Sequence, residues 1–192
     1  MRTKKLMLVM FTVLFFINAF GQHKKNEIVR DSVLDSRDQK TYKMVKIGNL
    51  TWMTENLKWE CDGSFIYEDN PKNMKKYGRL YSYEASQSAC PAGTRLPTKQ
   101  DWDSLKYYAD PKDAGDAGEK LLKKTKPGFA ATIGGYKNAK GKYVELEEEG
   151  QFWGADNTVY FTGQMKDITF KINNEIQKKD FKNCYSIRCV KD

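Results

Sequence analysis

Residues 41–57, TYKMVKIGNLTWMTENL, alternate polar and apolar side chains. Tyr42 and Met44 fall on one side, continued by Lys46, and Val45 and Ile47 fall on the other. Gly48-Asn49 interrupts the pattern and LTWM resumes it, which predicts a β-hairpin with a two-residue turn. Residues 60–76 carry Gly63, Asn70-Pro71 and many charges, and read as loop. In 78–90, Leu80, Tyr81, Ala85 and Ala89 recur at helical spacing. That helix is expected to end at Cys90, because Pro91 and Gly93 stop it. Residues 94–97 are expected to be extended, since the residue before Pro97 is pushed out of the α region. Thr98 opens a second helix: Asp101, three residues on, completes a capping-box pair, and a carboxylate there complements the helix dipole. Trp102, Leu105 and Ala109 form its buried stripe. A third short helix, about 114–124, carries Leu121 and Leu122. From Pro127 the chain reads as strands and loops, with Gly-rich turns in 128–146 and a strand around Thr158–Thr162. DITFKI (167–172) alternates strongly, and CYSIRCVKD closes the chain as a strand. The glutamates of 145–149 read as a solvated loop.

The first residues follow a different rule. Arg2, Lys4 and Lys5 precede an apolar run at 6–17, and Ala19-Phe20-Gly21 places small residues where a signal peptidase reads. This is the pattern of a secretory leader over residues 1–21. Its apolar run is shorter than the ~20 residues a membrane span needs; an uncleaved anchor is the rival reading. No cysteine follows the run, which argues against a lipoprotein. Residues 22–34 are polar and aperiodic and read as a linker; Asp31-Ser32-Val33 within it resembles the short O-glycosylation signal of Bacteroidetes-type bacteria. The domain proper is expected at 35–192.

Composition narrows the class. Charged residues at 30% against 40% hydrophobic are those of a globular domain. The formal charge is +8, and losing the three basic residues of the leader leaves +5. Such a protein is drawn to anionic polysaccharide or a membrane face, unless its lysines are simply a solvated surface. Export argues against nucleic acid. Four cysteines, Cys61, Cys90, Cys184 and Cys189, read as two disulfides in an exported chain. Zinc fits poorly, because no CxxC pair exists and the single histidine, His23, precedes the domain.

Five segments in this order, TYKMVKIGNLTWMTENL, KYGRLYSYEASQSACPAGTRLPTKQDWDSL, GFAATIGGYKNAKGKY, FWGADN and YSIRCVKD, resemble the Fibrobacter succinogenes major paralogous domain over about residues 35–192. That module is similar to C-type-lectin-like folds, and RLPTKQDWDSL also resembles their formylglycine-generating-enzyme branch. The resemblance implies an α+β domain of two main helices and a twisted antiparallel sheet, with the N- and C-terminal strands paired. It implies a bridge from Cys90, at the end of the first helix, to Cys189 in the last strand. In the chain-entropy picture such a loop is worth about 4 kcal/mol. Many members carry a local cysteine pair before KYGRLY; here those places hold Ile66 and Met74. A relocated bridge, Cys61–Cys184, is the simplest account of the other two cysteines. Cys184–Cys189 competes, but a spacing of five in one strand puts the pair on opposite faces.

Chemistry is thinly supplied. Residues 35–192 contain no histidine, which removes Ser-His and Cys-His machinery. Oxidised cysteines supply no thiolate. Cys184 and Cys189 fall where the formylglycine-generating branch keeps reactive cysteines, but the motif around such a pair is missing. GDAG and IGGY match no phosphate or dinucleotide loop. A carboxylate pair for a glycosidase is not singled out by any spacing. FWGADNTVY (152–160) is the binding candidate, with Trp153, Asp156, Asn157 and Tyr160. Sugar-binding lectins use Trp, Asn and Asp in this region around Ca²⁺, but in another order and with an EPN or QPD loop that is absent here, so no cofactor is expected. Trp153 fits either core packing or ligand stacking. Tyr136, Tyr143 and Trp59 either form a sugar-stacking face or fill the sheet. The expected function is an exported, non-catalytic module, secreted, periplasmic or on the outer cell surface. Its expected partner is a glycan, a surface polysaccharide or a cell-envelope protein, the last in a structural or adhesive role.

Overall fold

The hairpin expected from the alternating stretch forms the centre of the fold. Strand β2 (Lys40–Ile47) turns at Gly48-Asn49 into β3 (Leu50–Met53), with Ile47 opposite Leu50 and Val45 opposite Trp52. Gly48 has φ +63°, the left-handed conformation such a turn demands. A computed structural model describes residues 30–112, 115–122, 128–155, 158–164, 167–172 and 182–192. The leader at 1–21 and residues 22–29 of the linker lie outside it.

Both faces of the hairpin are buried, and this organises the α+β core. Val45, Ile47 and Trp52 pack with Trp102, Leu105 and Phe129. Tyr42, Met44 and Met53 pack on the other side with Leu57, Tyr81, Trp153 and Tyr185. Strict alternation puts successive residues on opposite faces, so one hairpin serves two cores. Lys43 and Lys46 are exposed.

Strand β1 (Arg30–Asp35) flanks the hairpin, with Asp31 opposite Met44 and Asp35 opposite Lys40. The strand corrects the linker reading for residues 30–34. Its side chains are mostly exposed and only Asp35 is fully buried, so no apolar alternation marks it. Asp35 holds Arg37 through two oxygens, and Arg37 also donates to the carbonyls of Ser88 and Ala89.

The segment from 60 to 90 departs most from expectation. Strand β4 (Ser64–Phe65) and helix α1 (Pro71–Tyr77) occupy the expected loop. Asn70 caps α1 by accepting from the Lys72 amide, with Pro71 in the first turn where its missing N–H costs nothing. Gly78 ends the helix at φ +77°; a Cβ there would come within 2.8 Å of Asn56 and of the Leu57 carbonyl. The expected long helix at 78–90 is instead strand β5 (Leu80–Tyr81) and a single helical turn, α2 (Tyr83–Ser86). Tyr81 pairs with Ser64 on one side and Tyr185 on the other, and this non-local pairing overrides the local helical spacing.

Helix α3 (Lys99–Ala109) opens as expected: the Thr98 side chain accepts from the Asp101 amide, and Asp101 accepts from the Thr98 amide. Trp102, Leu105 and Ala109 are buried. Helix α4 (Ala117–Leu122) follows with Leu121 buried. Strands β6 (Gly134–Lys137), β7 (Tyr143–Leu146), β8 (Glu149–Trp153), β9 (Thr158–Gln164) and β10 (Asp167–Ile172) make a second sheet in the order β10-β9-β8-β6-β7. It is antiparallel apart from β6 against β8. The glutamate run is therefore not a free loop: Glu145 ends in β7, Glu149 starts β8, and Glu147 pairs with Lys76 and the Tyr77 hydroxyl.

The closing segment joins everything. Cys184 bonds Lys137 of β6, Tyr185 bonds Tyr81 of β5, and Ser186 bonds Gln151 and Trp153 of β8. Ile187 accepts from Leu57, Cys189 from Met53, and Val190 pairs with Arg95. Strand β11 (Val190–Lys191) then pairs with β3, giving the order β1-β2-β3-β11. The first and last strands thus share a sheet without pairing directly, which corrects that expectation.

Within this spine Arg188 is fully buried. Its Nε donates to Asn56 (2.8 Å), Nη2 to the Ala130 carbonyl (2.7 Å), and Nη1 to the carbonyls of Met53 and Phe129. Ala130 has φ +51°, and the bent backbone presents two successive carbonyls to one guanidinium. Asn56 is held in turn by donating to the Tyr77 carbonyl and to Ser186. Burial pulls the Arg188 pKa down to about 9, still charged at neutral pH.

Candidate functional site

The helix α3 stripe locks onto the hairpin through Trp102 against Trp52, ring centroids 4.9 Å apart, with Phe129 edge-on to both. Residues off that stripe face outward. Tyr107 is 69% exposed and Tyr108 47%, two of the three exposed large hydrophobics among the described residues. Beside the tryptophan lock, α3 and the Gly48-Asn49 turn diverge and leave an open groove of about 690 Å³. Tyr108 stands over the turn: a Cβ on Gly48 would come 3.9 Å from its ring.

The other wall is polar. Arg95 donates to Asp101 and to Asp192, each at 2.6 Å. Burial alone would raise the Asp101 pKa, but bonds from Arg95 and from Thr98 outweigh it and hold the carboxyl below its usual range. Asp103 pairs with Lys99 at 2.6 Å. Gln100 and Ser104 complete the lining with neutral hydrogen-bonding groups. Rings, amides and carboxylates around an open trough suit a hydroxyl-rich ligand with apolar faces. Neither tyrosine was singled out by the sequence reading. The signal was there, since both lie off the stripe of Trp102, Leu105 and Ala109 and are left for solvent.

The residues favoured from sequence do not come together. Trp153 is fully buried: its Nε1 donates to the Tyr81 carbonyl (2.7 Å) and its ring meets Tyr83 and Tyr185. A ligand-stacking role for Trp153 is thereby corrected to core packing. Tyr136 packs on Tyr185 and Tyr143 on Tyr67. Lys137 is paired with Tyr143, so Tyr136 and Tyr143 are on opposite faces of the β6–β7 hairpin and make no common platform. The Trp59 face is covered by Arg37 at 3.6 Å. Asp156 and Asn157 lie outside the described residues, as does the side chain of Tyr160, whose backbone in β9 pairs with Gln151 and Lys171.

Cys90 and Cys189 are joined, tying the turn after α2 to the spine. Cys61 and Cys184 are free thiols, and the relocated bridge is absent. They lie on opposite sides of β5: Cys61 leads into β4, whereas Cys184 belongs to the segment pairing with the other edge. Burial raises both thiol pKa values, that of Cys184 to about 11, so neither is a thiolate at neutral pH. Among the described residues no group of three or more His, Cys, Asp or Glu side chains is placed to hold a metal ion, and no helix is long and apolar enough to cross a membrane.

Residues 45–191 match the sequence profile of the Fibrobacter succinogenes major domain. Neither a curated protein nor a solved structure matches the chain. The profile covers more than half of the chain and includes the Gly48-Asn49 turn with β3, the Cys90 turn, α3 and the spine. The chain belongs to the Fibrobacter succinogenes major domain family.

Proposed function

We propose that the protein is an exported, non-catalytic binding module that recognises glycan or cell-surface material in the groove between α3 and the β2–β3 turn. The observation that carries this reading is the exposed pair Tyr107 and Tyr108 beside a polar trough. Aromatic side chains with two χ angles offer contact area at small entropic cost, and tyrosine, apolar along its ring and polar at its tip, is enriched at binding surfaces. Export is supported by the leader pattern and by the Cys90–Cys189 bridge, which suits an oxidising compartment. A C-type-lectin-like fold is consistent with the bridge from the Cys90 turn to the last strand and with first and last strands in one sheet.

A glycan array probed with the protein, once with Ca²⁺ and once with EDTA, tests the reading. Binding that survives EDTA and falls at least tenfold (about 1.4 kcal/mol) in Tyr107→Ala and Tyr108→Ala is the expected result. Binding lost in EDTA moves the site to a Ca²⁺-dependent one elsewhere. Absence of binding in both buffers sinks the glycan reading in favour of a protein partner.

A further inference from the structure

The groove has a charge of its own, opposite to that of the chain. Three carboxylates, Asp101, Asp103 and Asp192, line it against the single guanidinium of Arg95, which leaves two net negative charges. Asp101 is spent on the helix cap and on Arg95. The other two remain open to solvent, Asp192 at 75% and Asp103 at 48% side-chain exposure, with acceptor positions beyond their single ion pairs. Lys99 halves the excess by pairing with Asp103. The positive balance of the chain thus lies on the rest of the surface and not in the trough.

Carboxylates beside exposed tyrosine rings are the setting in which an ammonium group is held. The ring face attracts a cation, and the carboxylate takes its hydrogen bonds. An anionic sugar meets the reverse: its carboxylate or sulfate would face Asp103 and Asp192 while Arg95 is already occupied by two aspartates. We propose that the groove selects glycans bearing free, protonated amino groups, an amino-sugar polymer rather than an acidic polysaccharide. This rests on the groove being the glycan site. It reverses the preference that net charge alone implies, because a ligand meets the local field within about one Debye length, ~8 Å at physiological salt.

The test compares three oligosaccharides of equal length by titration calorimetry: a glucosamine oligomer, its fully N-acetylated form and an oligogalacturonate. The titrations are run at about pH 5.5, where the free amines of the glucosamine oligomer are protonated. Exposed charge pairs and an exposed cation–ring contact are each weak, so together they favour the free-amine oligomer by about tenfold at low salt. That preference should shrink toward unity at high salt. Asp103→Asn with Asp192→Asn should remove it while leaving the N-acetylated oligomer bound, whereas Tyr107→Ala should weaken both. Equal binding of the two amino-sugar oligomers, or a preference indifferent to the Asn pair, overturns the inference and leaves the glycan reading standing. Preference for oligogalacturonate overturns it as well. If none of the three binds and the array is blank, the glycan reading itself has failed and this inference with it.

Discussion

Two arginines mark the two ends of this molecule's logic. Arg188 in the spine is sealed from water and faces backbone carbonyls and Asn56. Arg95, at the groove, is 40% exposed and faces carboxylates. Both make several hydrogen bonds and both touch the pairing around β11, but they do different work. Carbonyls cannot leave or be titrated, so the Arg188 network fixes three chain segments against one another. Carboxylates at a surface remain available to solvent and ligand, so the Arg95 network shapes a field. The spine decides whether the chain folds, and the groove is where we propose that the folded chain meets its ligand.

The largest expected effect comes from breaking the buried side. Arg188→Ala removes the buried donor to the carbonyls of Phe129 and Ala130 and to the Asn56 amide oxygen, at about 1–3 kcal/mol for each buried acceptor that loses its bond, and leaves a cavity besides. A loss of roughly 5 kcal/mol is expected, read by urea unfolding, which is a third or more of a total stability of about 5–15 kcal/mol. A variant that unfolds at the wild-type urea concentration would refute the structural role of this network. Trp153→Ala should follow at about 4 kcal/mol, the cost of emptying a tryptophan-sized core site. If it instead leaves stability intact and abolishes glycan binding, the core assignment of Trp153 is wrong.

Cutting the bridge is next. Cys90→Ala with Cys189→Ala should cost about 3 kcal/mol, since disulfide removal commonly costs 2–4 kcal/mol. Reductant should lower the melting temperature of the wild type and leave that of the double variant unchanged, because Cys61 and Cys184 are unlinked. A second reductant-sensitive step would reveal a Cys61–Cys184 bridge. Acid gives a smaller effect. Asp35 and Asp101 have carboxyl pKa values held low because the Arg37 and Arg95 pairings outweigh the opposing effect of burial. Their stabilisation is present above the ordinary carboxylate pKa of about 4 and is lost as pH falls through the folded values. Asp101→Asn should flatten the melting temperature between about pH 5 and 2 relative to wild type. The smallest effect on stability belongs to the groove: Tyr107→Ala and Tyr108→Ala should stay within about 0.5 kcal/mol of wild type while binding falls. A large loss of stability would place the tyrosines with the core instead.

The same division explains what could be read from the chain beforehand. The hairpin of residues 40–53 and the cap of Thr98 with Asp101 are local signals, complete within a few residues, and the structure contains both. Strand β5 is not local: Leu80 and Tyr81 have helical spacing, and only their partners Phe65, Ser64 and Tyr185 make them a strand. Helix α1 had its start written in Asn70-Pro71, but seven residues are too few to show a period. Arg188 looked like any arginine, because no pattern of apolar positions announces a cation that packs beneath carbonyls. Trp153 drew notice because it lies beside Asp156 and Asn157, the residue types that sugar-binding lectins use, while Tyr107 and Tyr108, the rings that solvent sees, were hidden inside a helix already accounted for by its stripe.

The spine also sets the order of events in time. Residues 184–191 supply partners to β3, β5, β6 and β8, strands distributed over most of the domain. Before they are present, the hairpin has one open edge, Tyr81 lacks its second neighbour and the carbonyls that surround Arg188 have nothing to bind. Contacts of such long sequence separation must all be closed before they reward one another, which makes folding slow for a domain of this size. Until residues 184–191 join, the domain has its local turns and an open core, and its stability arrives in one late step.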